Sequence, residues 1–165
     1  MKSIAMMLCL MCATTASEET TPLIQRLLGE WVSDQPTFGA PAQSTLSWRE
    51  ELNGQFFRLD YKIVMSQADG TTTTFEGLAY YKAKDDGPVA AFWADNSGFL
   101  HPIRVEHEDD AFIAHWGQAG FKQGKTRYRL LDTGQIETTD WVKTEDGFQP
   151  FNQNVFDRVE VDSNQ

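Results

Sequence analysis

Glu76 is the residue of this chain whose surroundings best suit chemistry. It sits mid-way along an alternating stretch, between Phe75 and Gly77. A carboxyl group buried among apolar neighbours holds its proton to higher pH, and can then act as a general acid or base near neutrality. Tyr61 and Tyr80 fall close to it in the strand register worked out below. Such a carboxyl–phenol group would suit a cofactor-free isomerase, cyclase or decarboxylase. It would equally hold the polar end of a bound molecule, and binding is the preferred reading. Other chemistries find less support. Gly-x-Ser-x-Gly is absent, and Asn96-Ser97-Gly98 reads as a turn. No glycine-rich phosphate loop is present, so a nucleotide is not expected. The three histidines are His101, His107 and His115. With Asp109-Asp110 as a hairpin turn, His107 lies opposite Phe112 and His115 opposite Arg104. The two rings then point to opposite faces, so three or four ligands do not converge and no metal site is expected.

The N-terminus indicates where this chemistry would take place. Met1-Lys2-Ser3 is a short basic start, and Ile4 to Ala13 is an apolar run too short to cross a bilayer. Thr14-Thr15-Ala16 offers small residues for cleavage after Ala16 or Ser17, which reads as a secretory signal over residues 1–17. Both cysteines, Cys9 and Cys12, would leave with it. The exported domain, residues 18–165, would be periplasmic or extracellular, without thiol or disulfide, and stable through its core alone. Losing Lys2 leaves 13 basic against 24 acidic residues, a formal charge near −11. Such a surface repels nucleic acid and anionic headgroups.

The elements that must position these residues are almost all strands. Thr21 can cap a short helix, Pro22 fits its first position, and Leu23, Ile24, Leu27 and Leu28 form an apolar stripe ended by Gly29. After it the period becomes two. Strands are expected over 30–34, 44–52, 55–65, 71–82, 88–95, 100–107, 111–117, 125–131, 135–143 and 148–160. Turn chemistry separates them at Asn53-Gly54, Asp69-Gly70, Asp86-Gly87, Asp109-Asp110, Thr133-Gly134 and Asp146-Gly147. No amphipathic helix is available for parallel crossovers, so the chain is expected to form an all-β, antiparallel, up-and-down barrel.

Tight turns fix register, and register decides which side chains share a face. Two-residue turns at Asn53-Gly54, Asp69-Gly70 and Asp86-Gly87 put Leu46, Trp48, Phe57, Leu59, Tyr61, Ile63, Met65, Leu78, Tyr80 and Trp93 on one face. Arg49, Glu51, Arg58, Asp60 and Lys62 take the other. The first face is expected to be the inside, and Glu50, Thr74, Glu76, Lys82 and Asp95 fall on it too. Buried charges need partners, water or a ligand, and a barrel of about eight to ten strands can enclose one small molecule. Trp48, Leu59, Tyr61, Glu76, Leu78, Tyr80 and Trp93 are the expected ligand contacts. Phe38, Phe99 and Phe121 lie in loops that could form a flexible lid or entrance, with a partner surface as the alternative.

Gly29-Glu30-Trp31 after a short helix resembles the Gly-x-Trp opening of lipocalins and fatty-acid-binding proteins, the calycin barrels. Trp48-Arg49-Glu50-Glu51-Leu52-Asn53-Gly54-Gln55-Phe56-Phe57, Phe75-Glu76-Gly77-Leu78-Ala79-Tyr80-Tyr81 and Ala91-Phe92-Trp93-Ala94-Asp95 extend the likeness. Their order resembles a family of bacterial lipocalin-like barrels described only as a domain of unknown function, over about residues 23–160. The resemblance implies that Arg158, on the last strand, packs on Trp31 at the closed end. It implies no cofactor here: related haem-binding barrels use a histidine near the C-terminus, and the last histidine of this chain is His115. The function expected is binding of a small, largely apolar or amphipathic molecule. A barrel enzyme using Glu76 and a filled structural module of the cell envelope are the alternatives.

Overall fold

The computed structural model describes residues 23–83, 90–108 and 110–160. The expected signal segment and the helix-capping residues Thr21 and Pro22 lie outside the described residues. One helical turn, α1 (Leu23–Arg26), is followed by β1 (Gly29–Ser33), β2 (Ala42–Glu51), β3 (Phe56–Ser66), β4 (Thr72–Lys82) and β5 (Ala90–Asp95). The chain continues through β6 (Leu100–His107), β7 (Ala111–Gly117), β8 (Gln123–Leu130), β9 (Ile136–Thr144) and β10 (Gly147–Arg158). Each strand pairs antiparallel with its sequence neighbours, and β1 also pairs with β10. The sheet therefore closes on itself, through a short β1–β10 ladder. This is the antiparallel barrel that the hairpin spacing predicts.

Loop length decides what faces inward. Asn53 and Gly54 both have left-handed backbones (φ 59° and 71°), and together they make a two-residue turn. Trp48 accordingly pairs with Leu59, Leu46 with Tyr61 and Glu50 with Phe57, as expected. The next loop is one residue longer than expected. Gln67 N–H donates to Thr71 O (2.8 Å), Gly70 N–H donates to Gln67 O (3.0 Å), and Gly70 has φ 84°. Three residues, Ala68-Asp69-Gly70, make that turn. Tyr61 then pairs with Gly77 and Lys62 with Glu76.

That single residue turns β4 over. Phe75, Gly77, Ala79 and Tyr81 face inward, while Thr74, Glu76, Leu78, Tyr80 and Lys82 face outward. Glu76 lies 3.2 Å from Lys62 Nζ, and both side chains are 55% exposed. It is a surface ion-pair partner, not a buried acid. Tyr80 stacks on Phe92 at 5.6 Å, beneath the Arg58 guanidinium. Between β4 and β5 the register is offset by one again, with Trp93 opposite Ala79 and not Tyr80. The second offset cancels the first, so Trp93 faces inward as expected. The Asp86-Gly87 turn itself lies outside the described residues.

The interior divides into two halves. At one end α1 and the turn after it plug the barrel: Leu27, just past the helix, is fully buried, and Trp31 Nε1 donates to Leu27 O at 2.8 Å. Arg158 pairs across the strands with Trp31 and lies 4.0 Å from its ring centre. Its two terminal nitrogens donate to Leu28 O (2.6 Å) and Arg26 O (2.9 Å), tying the helix to the last strand. Above this floor Trp48, Tyr81, Phe112 and Tyr128 form a dense aromatic layer, with Phe112 and Tyr128 stacked at 4.8 Å. The other half of the barrel is not filled.

Candidate ligand site in the open half of the barrel

A cavity of about 440 Å³ occupies that half, a size within the range of small-molecule sites. Its walls are mostly aromatic and include Tyr61, Phe75, Tyr81, Trp93, Trp116 and Tyr128. Two glycines make the space. A Cβ at Gly77 would lie 2.0 Å from the Trp93 ring, and one at Gly124 would lie 2.1 Å from the Trp116 ring. Each indole therefore lies against bare backbone and lines the cavity where it would otherwise fill it. Phe75 stacks on Trp93 at 6.3 Å and continues that wall.

The polar part of the site comes from β8, β9 and β10. Along β9 the inward positions are Ile136, Thr138 and Asp140, which pair with Leu130, Tyr128 and Thr126 of β8. On the other side Asp140 pairs with Asn152 and Thr138 with Asn154. Thr126 Oγ1 donates to Asp140 Oδ1 at 2.7 Å and accepts from Trp116 Nε1 at 3.2 Å. Asn152 Nδ2 donates to Asp140 Oδ2 at 3.0 Å. Burial raises the pKa of Asp140 above the ordinary aspartate value of 3.8, and these two hydrogen bonds oppose the rise only in part. Burial also pushes the hydroxyls of Tyr61, Tyr81 and Tyr128 far above the usual phenol value, so all three stay neutral.

Three buried acceptors on the inner walls have no partner: Thr138 Oγ1, the Tyr61 hydroxyl and Asn154 Oδ1. Thr138 is 4% exposed and its Oγ1 is unbonded, and the Tyr61 hydroxyl is buried and unbonded as well. Ser44 and Asn154 lie near Tyr61, but neither forms a well-shaped hydrogen bond with it. Buried polar atoms in proteins are ordinarily satisfied; of these three, Thr138 and Tyr61 line the cavity and mark the wall where a polar group is missing.

The mouth is ringed by phenylalanines. The ladder shifts between Pro150 and Asn152, leaving Phe151 as a bulged residue, and Phe151 stacks on Phe38 at 5.9 Å. Phe38 has φ 54°, an unusual conformation for a bulky residue, at the tip of the loop between β1 and β2. Its N–H donates to Asn152 Oδ1 (3.4 Å), so the loop tip and the Asp140 carboxylate share one asparagine. Phe99 and His101 stack at 5.5 Å on the opposite rim. Asp95 there accepts from Trp93 Nε1 at 2.9 Å, and Lys122 also reaches the rim. Phe121 is 72% exposed and lies outside the lining.

The expected contacts thus divide three ways. Tyr61 and Trp93 line the cavity. Trp48 and Leu59 face inward but belong to the packed layer nearer the closed end. Glu76, Leu78 and Tyr80 are on the outer surface, because the three-residue turn reverses β4. Of the other charges placed inside, only Asp95 lines the cavity; Glu50 is exposed near the Asn53-Gly54 turn. Sequence reasoning missed Asp140, Thr126, Thr138 and Trp116. The signal for Asp140 was the alternation Ile136, Thr138, Asp140, which carries an acid onto a face begun by isoleucine. The pairings of His107 with Phe112 and His115 with Arg104 are those expected. His115 Nε2 lies 2.9 Å from Glu106 on the outside. Among the described residues no helix is long and apolar enough to cross a membrane. No family model matches the chain, and no curated protein matches it.

Proposed function

We propose that this protein is an exported, lipocalin-like binder that holds one compact, largely apolar molecule in the open half of its barrel. The molecule's polar end lies against Asp140. One observation carries the reading: an aromatic cavity of about 440 Å³ that holds the Asp140 carboxylate in its wall, with a second acid, Asp95, toward the rim. A protein selected only for a stable barrel gains nothing from that arrangement, since empty apolar space and a buried acid both cost stability. The same space counts against a filled structural module. An enzyme built on Glu76 is set aside, because Glu76 is half-exposed beside Lys62. Kinship with the lipocalin-like family of unknown function is part of the proposal, supported by the Gly29-Glu30-Trp31 opening and by Arg158 on Trp31. Export is supported by the composition of residues 1–17.

Native mass spectrometry of protein purified from its own cells tests the reading. The expected spectrum shows one small molecule per chain, released on unfolding. A bare chain, together with no saturable quenching of tryptophan fluorescence by a panel of apolar compounds, would overturn it.

A further inference from the structure

We infer that the molecule held in this barrel is a primary amine with a compact aromatic or alkyl body, its ammonium group seated among Asp140, Thr138 and Tyr61. The inference rests on the cavity reading above and narrows it to a chemical class. An ionised carboxylate offers about four acceptor sites, and Thr126 and Asn152 occupy one on each oxygen. The remaining sites have no partner in the structure. Thr138 Oγ1 and the Tyr61 hydroxyl are buried, unbonded, and can both accept. An ammonium group carries three donors and no acceptor, and it supplies the opposite charge that a buried carboxylate lacks.

The rest of the site agrees. The lining places no cation at this depth, since Lys122 and His101 stand at the mouth. Tyr61, Trp116 and Tyr128 line the same cavity, and ring faces favour a cation beyond their apolar area. A chain with formal net charge −10 also draws cations toward it. A ligand carboxylate would meet Asp140 with like charge. An alcohol would satisfy at most part of the acceptor set.

Three probes that share a phenethyl body decide the matter: phenethylamine, phenethyl alcohol and hydrocinnamate, titrated at neutral pH against the fluorescence of Trp93 and Trp116. The amine should bind about tenfold or more tightly than the alcohol, as a charge-assisted hydrogen bond implies, with the acid weakest. Asp140→Asn should abolish that preference, so that amine and alcohol bind alike. Thr138→Val, which keeps the shape and removes one acceptor, should weaken the amine more than the alcohol. Saturable binding with the alcohol or the acid preferred would overturn the amine assignment and leave the cavity reading standing. So would an amine preference that survives Asp140→Asn. If none of the three quenches saturably and no apolar compound does either, the cavity reading fails and the amine assignment with it.

Discussion

A carboxylate enclosed by Thr126, Asn152 and aromatic rings gives up water that two hydrogen bonds replace only in part. Its folded-state pKa is raised, so the folded chain holds this proton more tightly than the unfolded chain does. By linkage, the protonated form favours folding, and the advantage is lost as pH rises through the folded-state value. Asp140→Asn should therefore raise the melting midpoint of the empty protein at neutral pH. A rise of about 2–4 °C corresponds to about 1 kcal/mol in a domain of this size. The gain over the natural chain should shrink as pH falls toward 3.8, the ordinary aspartate value. Calorimetry of the pair across pH checks this, and equal midpoints at neutral pH would contradict it. Glu76 makes the opposite case. Its contact with Lys62 is half-exposed, so Glu76→Gln should change stability by less than about 1 kcal/mol and leave ligand binding intact. Both residues occupy alternating stretches, and residue type alone gives Glu76 the better apparent claim to burial. Only parity separates them, and parity is not a property of a single residue.

Parity is set in the turns, which is where the sequence is hardest to read. Asn53-Gly54 makes a two-residue turn, whereas Gly70, Gly98 and Gly134 (φ 84°, 84° and 81°) each end a turn of three residues. In all four the glycine supplies a left-handed backbone, and a glycine after a polar residue fits either length. All ten strands were legible because alternation between such breaks is a local signal. The inner face of β3 was legible too, since its register follows from Asn53-Gly54 alone. The face of β4 was not, because one extra residue reverses every side chain on it. At the same scale, Gly77 lets Trp93 lie flat. Gly77→Ala should push that indole into the cavity and weaken ligand binding about tenfold, at a cost of about 1–2 kcal/mol in stability. Titration and thermal melting of the variant test this, and unchanged affinity would show that Trp93 does not border the ligand. Phe38 offers a second test. Phe38→Gly removes a ring from the mouth and relieves its φ of 54°, so ligand release should quicken while the melting midpoint holds or rises. Stopped-flow dissociation reads the rate, and an unchanged rate would remove Phe38 from the exit path.

The whole molecule combines a strongly acidic surface, a plug at one end and an aromatic chamber at the other. Its closure was foreshadowed by Gly29-Glu30-Trp31, and Arg158 now lies on that tryptophan. Its chamber was expected from barrel size, but the wall that gives it chemistry, from Thr126 to Asn152, spans two neighbouring hairpins whose register depends on a three-residue turn at 132–134 and a bulge at Phe151. Export belongs to this scale as well. N-terminal sequencing of the natural protein should find Ser17 or Glu18 first, whereas a retained Met1 or a lipid on Cys12 would contradict the signal reading. The central claim is that the open half of the barrel holds a ligand, and filling that space tests it most directly. Ala114 is 2% exposed and lines the cavity, so Ala114→Phe should occupy the chamber from its floor. Titration of N-phenylnaphthylamine, followed by energy transfer from Trp93 and Trp116, should show one saturable site in the natural chain and at least ~10-fold weaker binding in the folded variant. Equal affinity in both proteins, or no saturable site in the natural one, would contradict the account.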